Sequence, residues 1–300
     1  MNGEGAGCEP RAAHPPEPSP SLVLSSILIP AHNEASVVGA TLTTLLEGLD
    51  PGIEVLVACN GCRDATAEVA RGFGDRVRVL EIEQASKTAA LNAATEVAGK
   101  GAHVVLDADI QFPGIDASRL VDALEAEGAL AVEPVPRMNL DHSSFGVRGY
   151  YAVWLALHGD KPGKIGGGVL GLSAAARARL GTFPDIIADD GWVRAHFETS
   201  ELVYLTDCTS VVEAPRTVGD LIRIKTRSRL GNKQLRQRFP DLRGASVDTG
   251  GWGSKLRRLS PRLWVHVPTY VWVTVRAERR ARAQARDLAS YVWERDESSR

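Results

Sequence analysis

Between Ser26 and Leu130 the chain switches period again and again, each of four short β-rich runs being followed by a stretch of helical spacing. Ser26 to Ile29 reads as a strand closed by Pro30. Glu34 to Leu46 reads as a helix with the apolar face Val37, Val38, Leu42, Leu45 and Leu46. Glu54 to Ala58 is the second strand, ended by the turn pair Asn60-Gly61, and Asp64 is placed to N-cap a helix through Val69. Val77 to Ile82 is the third strand and Thr88 to Ala98 an alanine-rich helix. Val104 to Leu106 is the fourth strand, and Leu120 to Leu130 the helix after it. Parallel strands need helix-length crossovers, and these are right-handed. The alternation therefore predicts an α/β fold around a doubly wound, mostly parallel sheet flanked by helices.

The second half is less regular. Phe145 to Leu157, Ala174 to Leu180 and Asp190 to Phe197 read as helices, and Val218 to Gln237 as a long basic one. Val169 to Leu172, Leu202 to Leu205 and Ser210 to Glu213 read as strands. This divides the chain into residues 1–21, a disordered tail rich in Pro, Gly, Glu and Ser, then 22–240, the α/β domain, then 241–300, a basic aromatic segment with a helical character. The tail lacks the basic start and apolar core of a signal peptide, and no run of about twenty apolar residues occurs. The cysteines Cys8, Cys59, Cys62 and Cys208 form no disulfide framework. A cytoplasmic location is the expectation.

The formal charge of −2 conceals a division. Residues from Pro215 onward carry twenty Lys/Arg against eight Asp/Glu, and those before it fifteen against twenty-nine. A basic end calls for an anionic partner, though no nucleic-acid-binding motif accompanies it and nucleic acid is not expected.

The fourth strand ends in Asp107-Ala108-Asp109. Ligands of open α/β sheets bind at the carboxyl ends of the strands, and carboxylates there can hold a hard divalent cation that bridges to phosphate oxygens. Alone, the pair reads more readily as a solvated strand-to-loop turn than as a metal site. Gly166-Gly167-Gly168 lets backbone approach a ligand, or makes a tight turn. Cys59-Asn60-Gly61-Cys62 has the spacing of a zinc half-site or a dithiol, but zinc wants four ligands and the other cysteines are remote in sequence.

Five short segments in order resemble the motifs of the family 2 glycosyltransferases, which have the GT-A fold. Ile29-Pro30-Ala31-His32-Asn33-Glu34 is similar to the opening strand and loop. Asn60-Gly61-Cys62-Arg63-Asp64-Ala65-Thr66 is similar to the second loop, and Lys87-Thr88-Ala89-Ala90-Leu91-Asn92-Ala93 to the Gly-Lys-x-x-Ala-Leu-Asn segment. Asp107-Ala108-Asp109 falls at the Asp-x-Asp, and Asp189-Asp190-Gly191-Trp192-Val193 at the Glu-Asp-x-x-Leu motif. The resemblance covers about Ser25 to Gln237.

It implies a metal-dependent, inverting transfer of one sugar from a nucleotide-sugar donor to an acceptor hydroxyl, lipid-linked acceptors among the options. Asp190 is implied as the general base, and Asp109, assisted by Asp107, as holder of Mn or Mg. Pro30, Ala31, Glu34, Asn60, Asp64, Lys87, Asp107, Gly167, Gly168, Asp189 and Arg227 are implied at the donor, with Arg229 beside Arg227. Each has a plainer reading: Glu34, Asp189 and Asp190 as carboxylates at helix starts, Lys87 and the arginines as solvated cations, Trp192 as a buried aromatic rather than an acceptor wall. Two departures stand out. Cys59 occupies the position where uridine-nucleotide enzymes often have Asp, so the donor base is open. Ile224-Lys225-Thr226-Arg227-Ser228 keeps only the Arg of the processive Gln-x-x-Arg-Trp, which favours single transfer.

Leu263 to Val275, with two Trp and one Tyr, is followed by Arg276, Arg279, Arg280, Arg282 and Arg286. It is too short to span a bilayer but suits an anionic membrane surface on the inner face, its rival being simple packing on the α/β domain. Two other functions compete. A nucleotidyltransferase would need a Gly-rich, Arg-containing loop after the first strand, where Pro30 to Glu34 stands instead. A non-catalytic nucleotide-sugar binding module would have no use for Asp107, Asp109 and Asp190 together.

Overall fold

The computed structural model describes residues 24–126, 129–158, 167–242 and 259–286. The tail at 1–21, Gly166 and part of the 241–300 segment lie outside the described residues. Strands β1 (Ser26–Ala31), β2 (Glu54–Asn60), β3 (Arg78–Ile82) and β4 (His103–Leu106) are parallel, in the order β3-β2-β1-β4. Their crossovers are α1 (Val38–Leu46), α2 (Thr66–Arg71) and α3 (Lys87–Val97). All six residues of β1 are buried, as expected of a central parallel strand covered on both faces.

The pleat divides the apolar residues between two layers. Ile27, Ile29, Val55, Val57, Val104 and Leu106 face Leu42 and Leu45 of α1 and Leu120 and Leu124 of α4 (Gly114–Glu125). Leu28, Leu56, Ala58 and Val105 face Ala90, Leu91 and Ala94 of α3. Truncating a fully buried residue such as Leu28 to Ala would cost about 2–5 kcal/mol.

The sheet continues β4-β6-β5-β7 through β5 (Ala131–Asn139), β6 (Val169–Leu172) and β7 (Leu202–Glu213). Only β6 is reversed, and β5 and β7 pair in parallel. The helices of this half are α5 (Phe145–His158), α6 (Ala174–Leu180), α7 (Asp189–His196), α8 (Val218–Arg238) and α9 (Val267–Gln284).

Three expectations change. Helix α1 begins at Val38 rather than Glu34, because the Glu34 carbonyl accepts the Val37 and Val38 N–H groups, at 3.0 and 2.9 Å, in a turn. Helix α4 ends at Glu125, and β5, unread in the sequence, follows it. Pro134 and Pro136 disguise this strand, but β6 pairs only with Ala131 and Val132, so beyond them one side of β5 needs no ladder N–H. The two strand segments around 202–213 are one strand: Pro134 pairs with Leu205 and Val135 with Thr209, so residues 206–208 bulge.

Part of the C-terminal segment packs on the domain. Tyr270 of α9 stacks on Tyr150 of α5 at 5.2 Å between ring centroids, and Val273 is buried with Val147 and Leu221. Among the described residues no helix is long and apolar enough to cross a membrane.

Candidate active site

Beyond the carboxyl ends of the parallel strands lies a cluster of charges drawn from distant segments. Lys87 is the first residue of α3, where the positive end of a helix disfavours a cation. Two carboxylates offset this: its Nζ lies 2.7 Å from Asp107 Oδ1 and 2.8 Å from Asp189 Oδ2. Burial works against the Lys87 charge, but Asp107 and Asp189 outweigh it and raise its pKa well above the ordinary lysine value. Burial raises the Asp189 carboxyl above the ordinary range; Lys87 pulls it back, and Asp190 and Asp107 add to the rise. Lys87 thus joins the Asp-x-Asp loop to the start of α7.

The glycine loop meets the same cluster. Asp107 donates its backbone N–H to the Gly168 carbonyl at 2.8 Å. Gly168 has φ 63°, and a Cβ there would collide with Ile110 Cγ1 and stand 3.2 Å from Asp107 Oδ2. Only glycine suits this place. Gly167 lies beside Pro136 and Ser210, a Cβ reaching 3.2 Å from each.

Asp190 has a different environment from its neighbour. Its side chain is 54% exposed against 14% for Asp189. Oδ1 accepts the Gly191 N–H at 2.7 Å and Oδ2 accepts from Arg194 Nη1 at 3.3 Å. Arg194 is itself fixed by a fork to the buried Glu133 of β5, Nε to Oε1 at 3.0 Å and Nη2 to Oε2 at 2.9 Å. Burial disfavours its charge, but Glu133 and Asp190 raise its pKa. The sequence reading missed both Glu133 and Arg194. The Asp190–Arg194 spacing, one helical turn, was the available signal.

The first two loops are tied into one unit. Asn60 is buried and donates from Nδ2 to the Ala31 carbonyl at 3.0 Å, linking the ends of β1 and β2. Asp64 lies one residue before the cap position Ala65, so it is not the N-cap residue itself. Its Oδ1 accepts the Thr66 N–H and hydroxyl, and Oδ2 accepts the Ala35 N–H at 3.1 Å. Slight burial raises the Asp64 pKa, but these hydrogen bonds prevail and hold it below the usual range. Thr66 Oγ1 in turn accepts the Glu34 N–H at 2.7 Å, beside the buried Glu34 side chain and the buried Pro30 and Ala31.

Asp109 follows Asp107 on the same loop and is half-buried. Among the described residues no three His, Cys, Asp or Glu side chains gather as a complete metal cage. Mg or Mn held by two carboxylates takes its other ligands from phosphates and water, so an oxygen pair on a net-negative loop fits such an ion. Asp107 also keeps Oδ2, on the Gly168 side, out of the Lys87 contact.

The other candidates have other surroundings. Trp192 is buried, its ring 4.6 Å from that of Phe239, so it is a packing aromatic. Arg229 Nε lies 3.8 Å from Glu278 Oε2 on α9, while Arg227 is half-buried on α8. Cys59 is buried in the sheet, and burial, with Cys62 beside it, pushes its thiol up to about 12. Such a thiol is neither a ready zinc ligand nor a redox nucleophile.

A mostly parallel α/β sheet with acidic loops at its carboxyl edge is the architecture of the GT-A fold, and comparison with known proteins shows the same fold. Residues 26–164 match the Glycosyl transferase family 2 model. A mannosyltransferase from Pyrobaculum calidifontis, solved with GDP-Man and Mn2+, is similar at 20% identity and a TM-score of 0.58, covering 90% of this chain and 76% of that one. Glucosyl-3-phosphoglycerate synthase from Mycobacterium tuberculosis, solved with Mn2+, UDP-Glc and phosphoglyceric acid, is similar at 20% identity and a TM-score of 0.52, covering 73% and 80%. No curated protein sequence matches significantly. Residues 26–164 carry the match to family 2 glycosyltransferases, and the structural likeness shows the GT-A fold.

Proposed function

We propose that this glycosyltransferase moves one sugar from a nucleotide-sugar donor to an acceptor hydroxyl, with inversion at the anomeric carbon. The carrying observation is the Lys87 ammonium between Asp107 and Asp189, which unites three of the five motifs at the sheet's carboxyl edge. Asp190, exposed and oriented by Arg194, takes the acceptor proton. The acceptor oxygen bonds to the anomeric carbon, the carbon–phosphate oxygen bond breaks, and the nucleoside diphosphate leaves with the bonding pair. Lys87 fixes the Asp107 carboxylate, and the Gly167-Gly168 backbone leaves room for the donor. Asp109 and Asp107 would hold Mn or Mg, which when bound neutralises charge on the diphosphate. The structures solved with GDP-Man or UDP-Glc and Mn2+ support a donor of this class. We place the acceptor on a lipid at the inner face of the membrane, with the enzyme peripheral to it.

The test is a thermal-shift screen of nucleoside diphosphates and their sugars with and without Mn, followed by transfer assays on the hits. A Mn-dependent shift by one base, lost in Asp109→Asn, is expected through binding linkage. No shift with any nucleotide would overturn the reading.

A further inference from the structure

Of the ten large apolar side chains left exposed among the described residues, Trp264, Val265, Trp272 and Val275 belong to the segment 261–284 and a fifth, Phe145, packs against it. Phe145 is 75% exposed and Val265 69%. Phe145 packs its ring 5.1 Å from that of His266, which joins the start of α5 to the turn before α9. Helix α9 directs Tyr270, Val273, Thr274, Ala277 and Ala281 inward. By helical period the opposite stripe is Trp272, Val275, Arg276, Arg279, Arg282 and Arg286. Glu278 is the only acid in the helix, and Arg229, Lys233 and Arg282 surround it. The outward stripe therefore passes from apolar to basic and presents no uncommitted carboxylate.

We propose that this stripe, with the 261–266 turn and Phe145, docks on an anionic phospholipid surface. Trp264 and Trp272 have the amphipathic rings that settle at headgroup level, and Arg276 and Arg279 are placed to meet lipid phosphates. Charge complementarity selects this occupant: an apolar protein groove has no use for the arginine half. The helix lies along the surface with its inner face still packed on α5 and α8, which needs no spanning segment. The inference rests on the membrane-side acceptor reading above, but vesicle binding requires no turnover, so the two can fail separately.

The full chain is to be sedimented with phosphatidylcholine vesicles and with vesicles of equal parts phosphatidylcholine and phosphatidylglycerol. Binding only to the anionic vesicles is expected, weakening as salt is raised. Both the Arg276→Glu/Arg279→Glu and the Trp264→Ser/Trp272→Ser variants should weaken it at least about tenfold. Each variant must melt like the parent and keep its nucleotide-induced thermal shift; a pair that melts lower is replaced by the single substitutions. Equal binding to neutral vesicles, no binding, or variants that bind like the parent would overturn the proposal. So would a dimer broken by the Trp substitutions in a chain that ignores vesicles, which would give the face to a second copy. A nucleotide shift absent from the parent would sink the transferase reading alone.

Discussion

At the amino end of β4, His103 is 1% exposed, its Nε2 2.8 Å from the Gly99 carbonyl and its Nδ1 3.3 Å from Arg177 Nη1. At the carboxyl end Asp107 carries a charge shared with Lys87 and Asp189. Beside His103, Ser25 Oγ donates to Glu125 and accepts the Ala102 N–H, and Ser26 donates to Glu54. Polar groups at the amino end are committed to fixed local partners, a structural use. At the carboxyl end several carboxylates share few cations, and Asp190 keeps an exposed oxygen. A sheet that ties His103, Ser25 and Ser26 to local partners at one end and gathers surplus negative charge at the other has a defined place for a charged substrate. Mutations at the two ends should therefore separate stability from transfer.

The largest effect is expected from Asp190→Asn, which keeps the shape and hydrogen-bond capacity but cannot accept the acceptor proton. Transfer should fall about 10³-fold with nucleotide binding and melting point unchanged. Near-parent transfer by this variant in its folded form would remove Asp190 as the base and blur the contrast between the ends.

The converse test is His103. Burial, against the Gly99 hydrogen bond, lowers its pKa from 6.5 to about 4. Between these values the unfolded chain binds the extra proton, so stability should fall as pH drops from 6.5 to 4, by about 3 kcal/mol. Urea titrations across this window should show that loss in the parent and a flatter profile in His103→Gln, with transfer at neutral pH retained. An equal slope in both would assign the acid loss to other groups.

The amino half was legible because its strands are central and covered on both faces, so that burial and sequence pattern agree: Ile27, Leu28 and Ile29 leave no other reading. The same regularity put Asp107 and Asp109 at a strand's carboxyl edge from pattern alone. The second half was harder because local signals conflict with tertiary placement. Pro134 and Pro136 mask a strand that is free on one side, the bulge at 206–208 breaks one strand into two, and the fork from Arg194 to Glu133 joins residues far apart in sequence. Which two carboxylates Lys87 would join was equally hidden, since Asp107 and Asp189 lie far apart in sequence. Trp192 shows the opposite limit: its motif position suggested an acceptor wall, and Phe239 buries it.

Lys87→Met tests whether charge at the carboxyl end is also structural. It would leave Asp189 buried beside Asp107 and Asp190 without its cation, lowering stability by about 2 kcal/mol. The raised Lys87 pKa means its contribution is complete below pH 10.5 and is lost as pH climbs above that. Denaturant melts at neutral and alkaline pH should therefore converge for parent and variant only at the alkaline end. Donor affinity should drop in the variant as well, unlike in His103→Gln.

The smallest effect expected is at Ser25. Its hydroxyl accepts the Ala102 N–H at 2.8 Å and donates to Glu125 Oε1 at 2.6 Å, so Ser25→Ala strands one buried donor just before β4. About 1 kcal/mol should be lost, because Glu125 reaches water while the Ala102 N–H does not. Stability by denaturant melt should register this, and kcat for transfer should not. β4 connects the two ends directly, so a loss of transfer in a folded Ser25→Ala protein would mean that strain at the amino end reaches Asp107 through the strand. In that case the division of labour between the ends would be a difference of degree.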